Sequence, residues 1–326
     1  MINISCLTYK RKILILLLLI LILGLTNFAF YFFDAARVNN RASLYIWLEE
    51  RLLYYADRIE ITGSRGQTIL NRVNNVWVIN AVLPDGSIIN LPVRQQRVED
   101  FLRTLTRRSN YPVRSTAATP ELLGIGPGSS RITIRGGAGL PLLDMLLGAV
   151  DASGSEIFLY GTGQRVIRSG EDIFTLYTES PPSFWYNLKI FPDIRADMVQ
   201  RIHFMPVIHG ESPLTFSRRN NIWIVENDEN AGMIFANGEL WLRSVLEMNG
   251  DDFVILHNIS GGHEIDGFIA LELGDGSLRV LSVSLPDTEG NRIATIAGTA
   301  FSYLLSEWTV RRIWSSSLLP GEFPED

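Results

Sequence analysis

Residues 72–78, Arg-Val-Asn-Asn-Val-Trp-Val, reappear in altered form as residues 219–224, Arg-Asn-Asn-Ile-Trp-Ile. Asn74 matches Asn220, and Trp77 matches Trp223, both at an offset of 146 residues. Self-similarity of this kind is the mark that a repeated structural unit leaves in a sequence. These residues therefore predict that the chain contains two related copies of one unit.

The same matching extends on both sides of these segments. Residues 58–61 match residues 201–204 at an offset of 143. The downstream matches, at offsets of 136 and 137, join 151–154 to 287–290, Ile157 to Ile293, and 161–162 to 298–299. One shared order with drifting offsets is what duplication followed by insertions and deletions in loops produces.

Each copy is predicted to be an α+β unit of antiparallel strands with one main helix. The helix covers 94–107 in the first copy and 238–249 in the second, with core faces made by Val98, Phe101, Leu102 and Leu105, and by Leu242, Val245 and Leu246. The strands are expected at 58–62, 68–72, 76–80, 131–135, 142–147, 156–160 and 164–168, and at 201–205, 214–217, 222–226, 267–273, 277–283 and 292–296. Asp275-Gly276 predicts a hairpin turn, and 140–147 has a short helix as its alternative.

An uncharged run of 21 residues, 13–33, predicts a transmembrane helix. At about 1.5 Å per residue it reaches roughly 31 Å, which matches the hydrocarbon core of a bilayer. A cleaved signal peptide is the alternative, but its apolar region would cover about 7–15 residues and end in small residues. The last four residues of this run, 30–33, are Phe, Tyr, Phe and Phe. Aromatic residues suit the membrane interface and are not the small residues of a cleavage site, so we expect an uncleaved signal anchor.

The charges around this run predict its orientation. Lys10, Arg11 and Lys12 precede it without an acidic residue, which places the N-terminus in the cytoplasm and the bulk of a single-pass protein outside it. Beyond residue 33 the chain has 26 basic and 35 acidic residues, a net charge of −9, so nucleic acid is not an expected partner. The only cysteine, Cys6, precedes the run and is either inert or a palmitoylation site, so the exported part has no disulfide.

These features divide the chain into seven segments. They are a cytoplasmic tail (1–12), the transmembrane helix (13–33), a stalk helix (34–56), the first α+β repeat (57–180), a linker (181–196), the second α+β repeat (197–315) and a flexible tail (316–326). The stalk helix is predicted from the spacing of apolar residues on one face, namely Leu44, Trp47, Leu48, Leu52 and Tyr55.

Two further segments allow more than one interpretation. In the linker, the aromatic residues 184–186 follow two prolines and either pack the copies together or face a ligand. The uncharged run 293–306 is shorter than the roughly 20 residues that a membrane span needs, so it predicts a strand that passes into a terminal helix.

The pattern resembles the bacterial domain-of-unknown-function family 4340. The resemblance covers most of 57–315 and is carried by the anchor, a strand ending in Asn75-Val76-Trp77, a helix, the loop Pro120-Glu121-Leu122-Leu123-Gly124-Ile125, and a meander with Gly and Asp turns at 144–174. The second copy lacks a clear counterpart of that loop. The resemblance implies an envelope protein of the bacterial cytoplasmic membrane, in a family often encoded beside ABC-type transport components of the gliding-motility kind. It offers no catalytic residue.

The sequence assigns no catalytic, metal or cofactor residue. A Gly-x-Ser-x-Gly elbow is missing, and Lys189 is the only lysine beyond the anchor. His257, His263 and Glu264 form a weak metal candidate without the spacing of a zinc hydrolase. Residues 227–232 resemble the start of a calcium loop but lack its later ligands, and the glycine-rich segments 124–128 and 161–163 lack a P-loop lysine and predict turns.

We therefore expect a non-catalytic, membrane-anchored accessory or binding subunit without a cofactor. Its expected partners are ABC-type transporter subunits or envelope proteins. An envelope hydrolase that uses dispersed carboxylates is one alternative, and it predicts two carboxylates in a cleft, about 5–10 Å apart if the substrate is a glycoside. A structural spacer between membrane and envelope is the other.

Overall fold

The computed structural model of the protein describes residues 17–25, 44–83, 85–116, 119–152, 154–207, 213–226, 231–255 and 264–314. The described chain is an α+β protein of mostly antiparallel sheets with few helices, as predicted. The labelled helices are α1 (Gln95–Thr106), α2 (Ile173–Thr178), α3 (Gly238–Leu246) and α4 (Glu307–Trp314). Short 3₁₀ turns lie at Glu50–Tyr55, Pro120–Leu123, Gly137–Gly139, Pro182–Trp185 and Ala196–Met198.

The first sheet contains nine strands in the spatial order β5-β4-β3-β2-β8-β9-β10-β11-β7. Their bounds are β2 (Ala56–Gly63), β3 (Gly66–Val73), β4 (Val76–Val82), β5 (Ile88–Pro92), β7 (Val113–Thr116), β8 (Ser130–Gly136), β9 (Pro141–Val150), β10 (Glu156–Gly161) and β11 (Val166–Glu171). A separate two-stranded ribbon joins β1 (Leu44–Tyr45) to β6 (Ser109–Asn110).

The second sheet contains eight strands in the order β14-β13-β12-β16-β17-β18-β19-β15. Their bounds are β12 (Val199–Met205), β13 (Leu214–Arg219), β14 (Ile222–Val225), β15 (Asp252–Ile255), β16 (Ile265–Leu273), β17 (Leu278–Ser284), β18 (Arg292–Ile296) and β19 (Phe301–Leu305). The Asp275-Gly276 turn connects β16 to β17, and Gly276 has a φ of 80°, as a tight turn of this kind requires.

The two sheets have the same strand order once β5 is set aside. The order β4-β3-β2-β8-β9-β10-β11-β7 in the first sheet corresponds strand for strand to the order in the second. The helices also occur at equivalent points of the chain, because α1 and α3 follow the opening hairpin strands and α2 and α4 follow the last meander strands. The sequence similarity thus coincides with a similarity of topology.

The chain divides into two compact units, and the bounds of these units differ from those of the two predicted repeats. Unit 1 consists of Met1–Ile69 and Val98–Pro181, and unit 2 consists of Leu70–Arg97 and Pro182–Asp326. The division falls inside β3 and inside α1. The repeat boundaries taken from the sequence remain a prediction.

The repeated Asn-Asn pairs form equivalent hairpin turns. Asn74 and Asn75 have φ values of 50° and 64°, and Asn220 and Asn221 have values of 52° and 62°. Positive φ at both central residues is the requirement of a type I′ turn, whose twist matches that of the flanking strands, and asparagine tolerates this conformation better than most residues. In both copies the turn places a tryptophan directly opposite an arginine, namely Trp77 opposite Arg72 and Trp223 opposite Arg218.

The predicted core faces of both main helices are confirmed. Val98, Phe101, Leu102 and Leu105 of α1 are buried, as are Leu242, Val245 and Leu246 of α3. Helix α3 ends three residues earlier than predicted. The chain after it turns aside because Asn249 forms a bridge with Lys189 and the Met248 carbonyl accepts a bond from the Ile190 amide (3.1 Å).

In place of one continuous stalk helix, the described residues 44–56 form a strand at Leu44–Tyr45 and a 3₁₀ turn at Glu50–Tyr55. Tyr45 lies in a strand opposite Ser109, and the amides of Trp47 and Leu48 both donate to the Leu105 carbonyl (3.1 Å each). An α-helix would use these amides internally. The apolar spacing did identify Trp47 and Leu48 as buried side chains, but they are buried from a bend of the chain and not from a helix.

Two other predictions concern the apolar runs. Residues 17–25 of the predicted transmembrane helix are helical, and the rest of 13–33 lies outside the described residues. Among the helices that the structure describes, none has both the length and the apolarity needed to cross a bilayer. The run 293–306 contains two strands, β18 and β19, and not one, because the turn near Thr299 reverses the chain before α4 begins.

Trp185 in the linker is fully buried and Phe184 packs on the Arg97 guanidinium (4.0 Å to the ring centre), so these two aromatic side chains pack against protein. Residues 315–326, which include the predicted flexible tail, lie outside the described residues.

Candidate binding cleft

A cleft of about 490 Å³ lies within unit 1. Its volume is in the range of small-molecule and peptide sites, roughly 300–1,000 Å³. One wall is α1, another is the end of the β10–β11 hairpin, and α2 closes a third side. The lining residues are Asp100, Arg103, Thr104, Arg107, Ser109, Asn110, Tyr111, Glu156, Gly170, Glu171, Ile173 and Tyr177.

Two glutamates meet at one corner of this cleft. Glu156 is the first residue of β10, Glu171 is the last residue of β11, and the two are directly opposite in the antiparallel register. Side chains at such positions lie on one face with Cβ atoms about 4.5–5.5 Å apart. Like charges at this separation destabilise a sheet unless a neighbouring cation or donor compensates them.

The compensation comes from the edge strand and from β11. Arg114 on β7 donates from Nη2 to a Glu156 carboxylate oxygen (2.6 Å), and the buried Ser169 hydroxyl donates to the same oxygen (2.5 Å). Arg114 Nε also donates to Ser169 Oγ (2.7 Å), so the three side chains form one network. Both bonds lower the pKa of Glu156 and favour its ionised form, and the bond from Ser169 has the larger effect.

The opposite wall carries cations from α1. Arg103 is paired with Asp100 one turn earlier (2.7 Å), and Arg107 is exposed at the end of the helix. The cleft therefore presents carboxylates on the hairpin side and guanidinium groups on the helix side. A bound group of either charge would find a partner of opposite sign.

The floor of the cleft is fixed by aromatic packing. Tyr111 is buried and packs edge-on against Trp47 (5.5 Å between ring centres), and Tyr177 packs edge-on against Phe101 (4.8 Å). Burial raises the pKa of Tyr111. A Cβ at Gly170 would lie 2.5 Å from the Tyr111 ring, so only glycine permits this close approach of β11.

The corresponding corner of the second sheet is closed. Arg292 is the first residue of β18 and lies opposite Leu305, the last residue of β19. Arg292 forms an ion pair with Asp266, and these side chains are only 13% and 5% exposed. Arg292 Nη1 also donates to the Ser284 carbonyl (2.9 Å), while Leu305 is fully buried. This corner is part of the core.

A smaller cavity of about 300 Å³ lies in unit 2. Its lining includes the apolar linker residues Ile190, Phe191 and Ile194, and its charged residues are Asp193, Asp275 and Arg279. It contains fewer charged groups than the cleft of unit 1 and is the weaker candidate.

The structure places few of the residues that the sequence singled out. His257, His263 and residues 227–230 lie outside the described residues. Within the described part of the chain, no group of three or more His, Cys, Asp or Glu side chains could hold a metal ion. The glycine-rich segments 124–128 and 161–163 do form turns before β8 and β11, as predicted.

The cleft itself was missed by the sequence analysis. The signal was present, because a hairpin drawn from the predicted strands 156–160 and 164–168 brings the ends of those strands together. Extending the second strand by three residues places Glu171 opposite Glu156. Comparison of the chain with protein-family models, with curated proteins and with solved structures finds no match.

Proposed function

We propose that the chain is a membrane-anchored, extracytoplasmic accessory or binding subunit of an ABC-type transport or envelope assembly. Its exported part consists of two α+β copies that arose by duplication, and the cleft of the first copy is the binding site. The chain acts without catalysis. The observation that carries the binding role is the cleft, where Glu156, Glu171 and Arg107 converge from three separate elements.

The duplication is supported by two independent likenesses. The sequence repeats the Asn-Asn-x-Trp segment, and the two sheets share one strand order that is not a simple meander. In both sheets the strand that follows the main helix is added at the far edge, after the last meander strand. Such an arrangement in both copies is explained most simply by one ancestral unit.

The lining of the cleft indicates the chemistry of its partner. Charges of both signs surround it, so a purely apolar ligand would desolvate them without replacing their hydration. A segment of a partner protein or an envelope ligand with charged groups could pair with them. The single-pass anchor and the resemblance to domain-of-unknown-function family 4340 support a partner at the bacterial cytoplasmic membrane.

The proposal is tested by site-specific photocrosslinking in native membranes. A photoreactive residue at Glu171, inside the cleft, is expected to capture a transporter subunit or envelope protein that mass spectrometry identifies. The same residue at Glu307, an exposed glutamate at the start of α4, serves as the matched control and is expected to capture none. Repeated absence of any such adduct at Glu171 would contradict the proposed binding role. Equal capture at Glu171 and Glu307 would show that the cleft is not the binding site.

A second candidate, an envelope hydrolase, is favoured by one observation. Asp100, Glu156 and Glu171 all line the same cleft. A general acid needs a raised pKa, whereas that of Glu156 is lowered, so Glu156 would serve as base or nucleophile and another carboxyl group would supply the proton. The test is hydrolysis of an envelope glycan by the wild-type protein. Activity that is lost in Glu171→Gln and kept in Glu307→Gln would favour the hydrolase.

A further inference from the structure

The charged side chains that line the cleft of unit 1 are not all paired within the protein. The charged lining residues are Asp100, Arg103, Arg107, Glu156 and Glu171. Arg103 pairs with Asp100 (2.7 Å), and Glu156 pairs with Arg114 (2.6 Å). Once these two pairs are set aside, the cleft retains one carboxylate, that of Glu171, and one guanidinium, that of Arg107.

The side chains of Glu171 and Arg107 are both exposed. Among the residues that the structure describes, neither side chain forms a hydrogen bond or an ion pair, whether with the other or with a third residue. A ligand can therefore pair with both of these charges without displacing a partner that the protein already supplies.

Tyr111 at the floor of the cleft lies near both charges. It follows Arg107 by four residues, and its ring lies 2.5 Å from where a Cβ would stand on Gly170, the neighbour of Glu171. Burial has the largest effect on the pKa of Tyr111 and raises it, the charge of Glu171 raises it further, and the charge of Arg107 lowers it. The carboxylate and the guanidinium thus act on the same hydroxyl group.

Two opposite charges without partners select a ligand that carries both signs. A ligand with only a cation would pair with Glu171 but bring a like charge to Arg107, and a ligand with only an anion would do the reverse. A ligand with one group of each sign pairs with both residues and adds no like-charge contact.

The uncharged part of the lining favours a peptide between the two charges. Asn110 is exposed, and its side-chain amide has no hydrogen-bond partner among the described residues. This amide has both donors and an acceptor, which match the carbonyl and the N–H of a peptide group. Ile173, which is 40% exposed, adds apolar surface for the carbon atoms of a peptide side chain.

We propose that the cleft binds a peptide segment of the partner protein that carries one basic and one acidic side chain. The basic side chain pairs with Glu171 and the acidic one with Arg107, whose planar guanidinium can bind a carboxylate through two parallel hydrogen bonds. This inference rests on the proposed function, in which the cleft is the binding site. A free short peptide, whose two termini supply the same charges, is the competing source.

The first test is calorimetric titration of the full chain in detergent micelles with capped, alanine-based peptides. Each peptide contains one lysine and one glutamate, one to four residues apart and in either order, and its controls have glutamine in place of one or both. At one spacing or more, we expect the peptide with both charges to bind about five-fold more tightly than its controls with one charge. Equal binding at every spacing would overturn the proposal.

Charge reversal assigns each charge of the peptide to a residue. Arg107→Glu is expected to prefer a peptide with two lysines, and Glu171→Lys a peptide with two glutamates. Arg108→Glu and Glu247→Lys change exposed residues that do not line the cleft, so these controls are expected to keep the preference of the wild type. Hydrogen exchange of β10 and β11 checks that each variant is folded. A folded cleft variant that does not reverse its preference overturns the assignment.

Photocrosslinking from position 173, which lines the cleft and leaves both charges in place, separates this inference from the proposed function. Capture of a partner protein by a chain that shows no charge preference among the peptides overturns the inference and leaves the cleft as the binding site. Absence of both capture and peptide binding overturns both. An adduct that contains a free peptide and no protein overturns the assignment to a partner protein.

Discussion

Glu156 and Glu171 of the first sheet face a cleft, whereas at the corresponding corner of the second sheet Leu305 is buried and the Arg292 side chain is only 13% exposed. The strand order around both corners is the same. The backbone arrangement therefore does not determine whether the corner is a site or part of the core. The side chains at the start of one strand and the end of the next determine it.

The largest expected difference between the sheets concerns their ion pairs. Asp266→Asn leaves the buried Arg292 guanidinium without its counter-charge, and we expect the free energy of unfolding to fall by about 3–5 kcal/mol. In the first sheet the Arg131–Asp144 pair is 49% and 21% exposed, so Asp144→Asn is expected to cost about 1 kcal/mol or less. Urea titration measures both values, and hydrogen exchange localises the loss.

A double substitution refines this test. Asp266→Leu with Arg292→Met replaces the buried pair by apolar side chains and is expected to recover most of the stability that Asp266→Asn loses. Equal losses for Asp266→Asn and Asp144→Asn would contradict the distinction between a buried ion pair in the second sheet and an exposed one in the first.

The Asn-Asn turns predict an effect that is equal in the two copies. Asn75→Val and Asn221→Val each place a β-branched residue at a φ near +60°, and we expect a loss of about 1–2 kcal/mol from each. Asn75→Gly and Asn221→Gly are the matched controls and are expected to leave stability nearly unchanged, since glycine adopts positive φ freely. A loss confined to one copy, measured by denaturant titration, would show that the turns are not equivalent.

The smallest expected effect is a pH dependence that comes from Glu156 at the corner of the first sheet. Because the folded pKa of Glu156 is lowered, its ionised form stabilises the fold above the ordinary glutamate pKa of about 4.3, and this contribution is lost as the pH falls through the lowered value. Glu156→Gln is therefore expected to flatten the loss of stability in acid.

Ser169→Ala tests this assignment, because it removes the donor that lowers the Glu156 pKa most and keeps the carboxylate. The midpoint of the Glu156 titration, followed by NMR of its side chain, is expected to move upward. A midpoint that does not move would mean that Arg114 alone sets the pKa.

Much of the fold followed from local pattern. The spacing of Val98, Phe101, Leu102 and Leu105 identified one helix face, and the alternation in most strands gave their positions within a few residues. Strands β1, β5, β6, β7, β15 and β19 and helix α2 were not predicted. These elements have between two and six residues, too few for a hydrophobic period to stand out.

The candidate site depended on elements that are far apart in the sequence. Arg114 compensates Glu156 only because β7 joins the sheet beside β11, more than fifty residues later in the chain. The segment with Trp47 has an apolar spacing that suits a helix, yet Leu44 and Tyr45 pair with β6 and the Trp47 ring packs edge-on against Tyr111. Nothing within a few residues of either position specifies these partners.

The sequence by itself determined the two Asn-Asn hairpins, the core faces of the main helices and the repetition of one plan, because turn chemistry and side-chain period act over a few neighbouring residues. Only the tertiary structure decided which strands lie at the edges, that Glu156 and Glu171 open onto a cleft, and that Arg292 and Asp266 are buried as a pair. Those outcomes depend on contacts between residues that are far apart in the chain. The free energy of such contacts comes from packing and desolvation in the whole sheet, so no pattern among neighbouring residues predicts them.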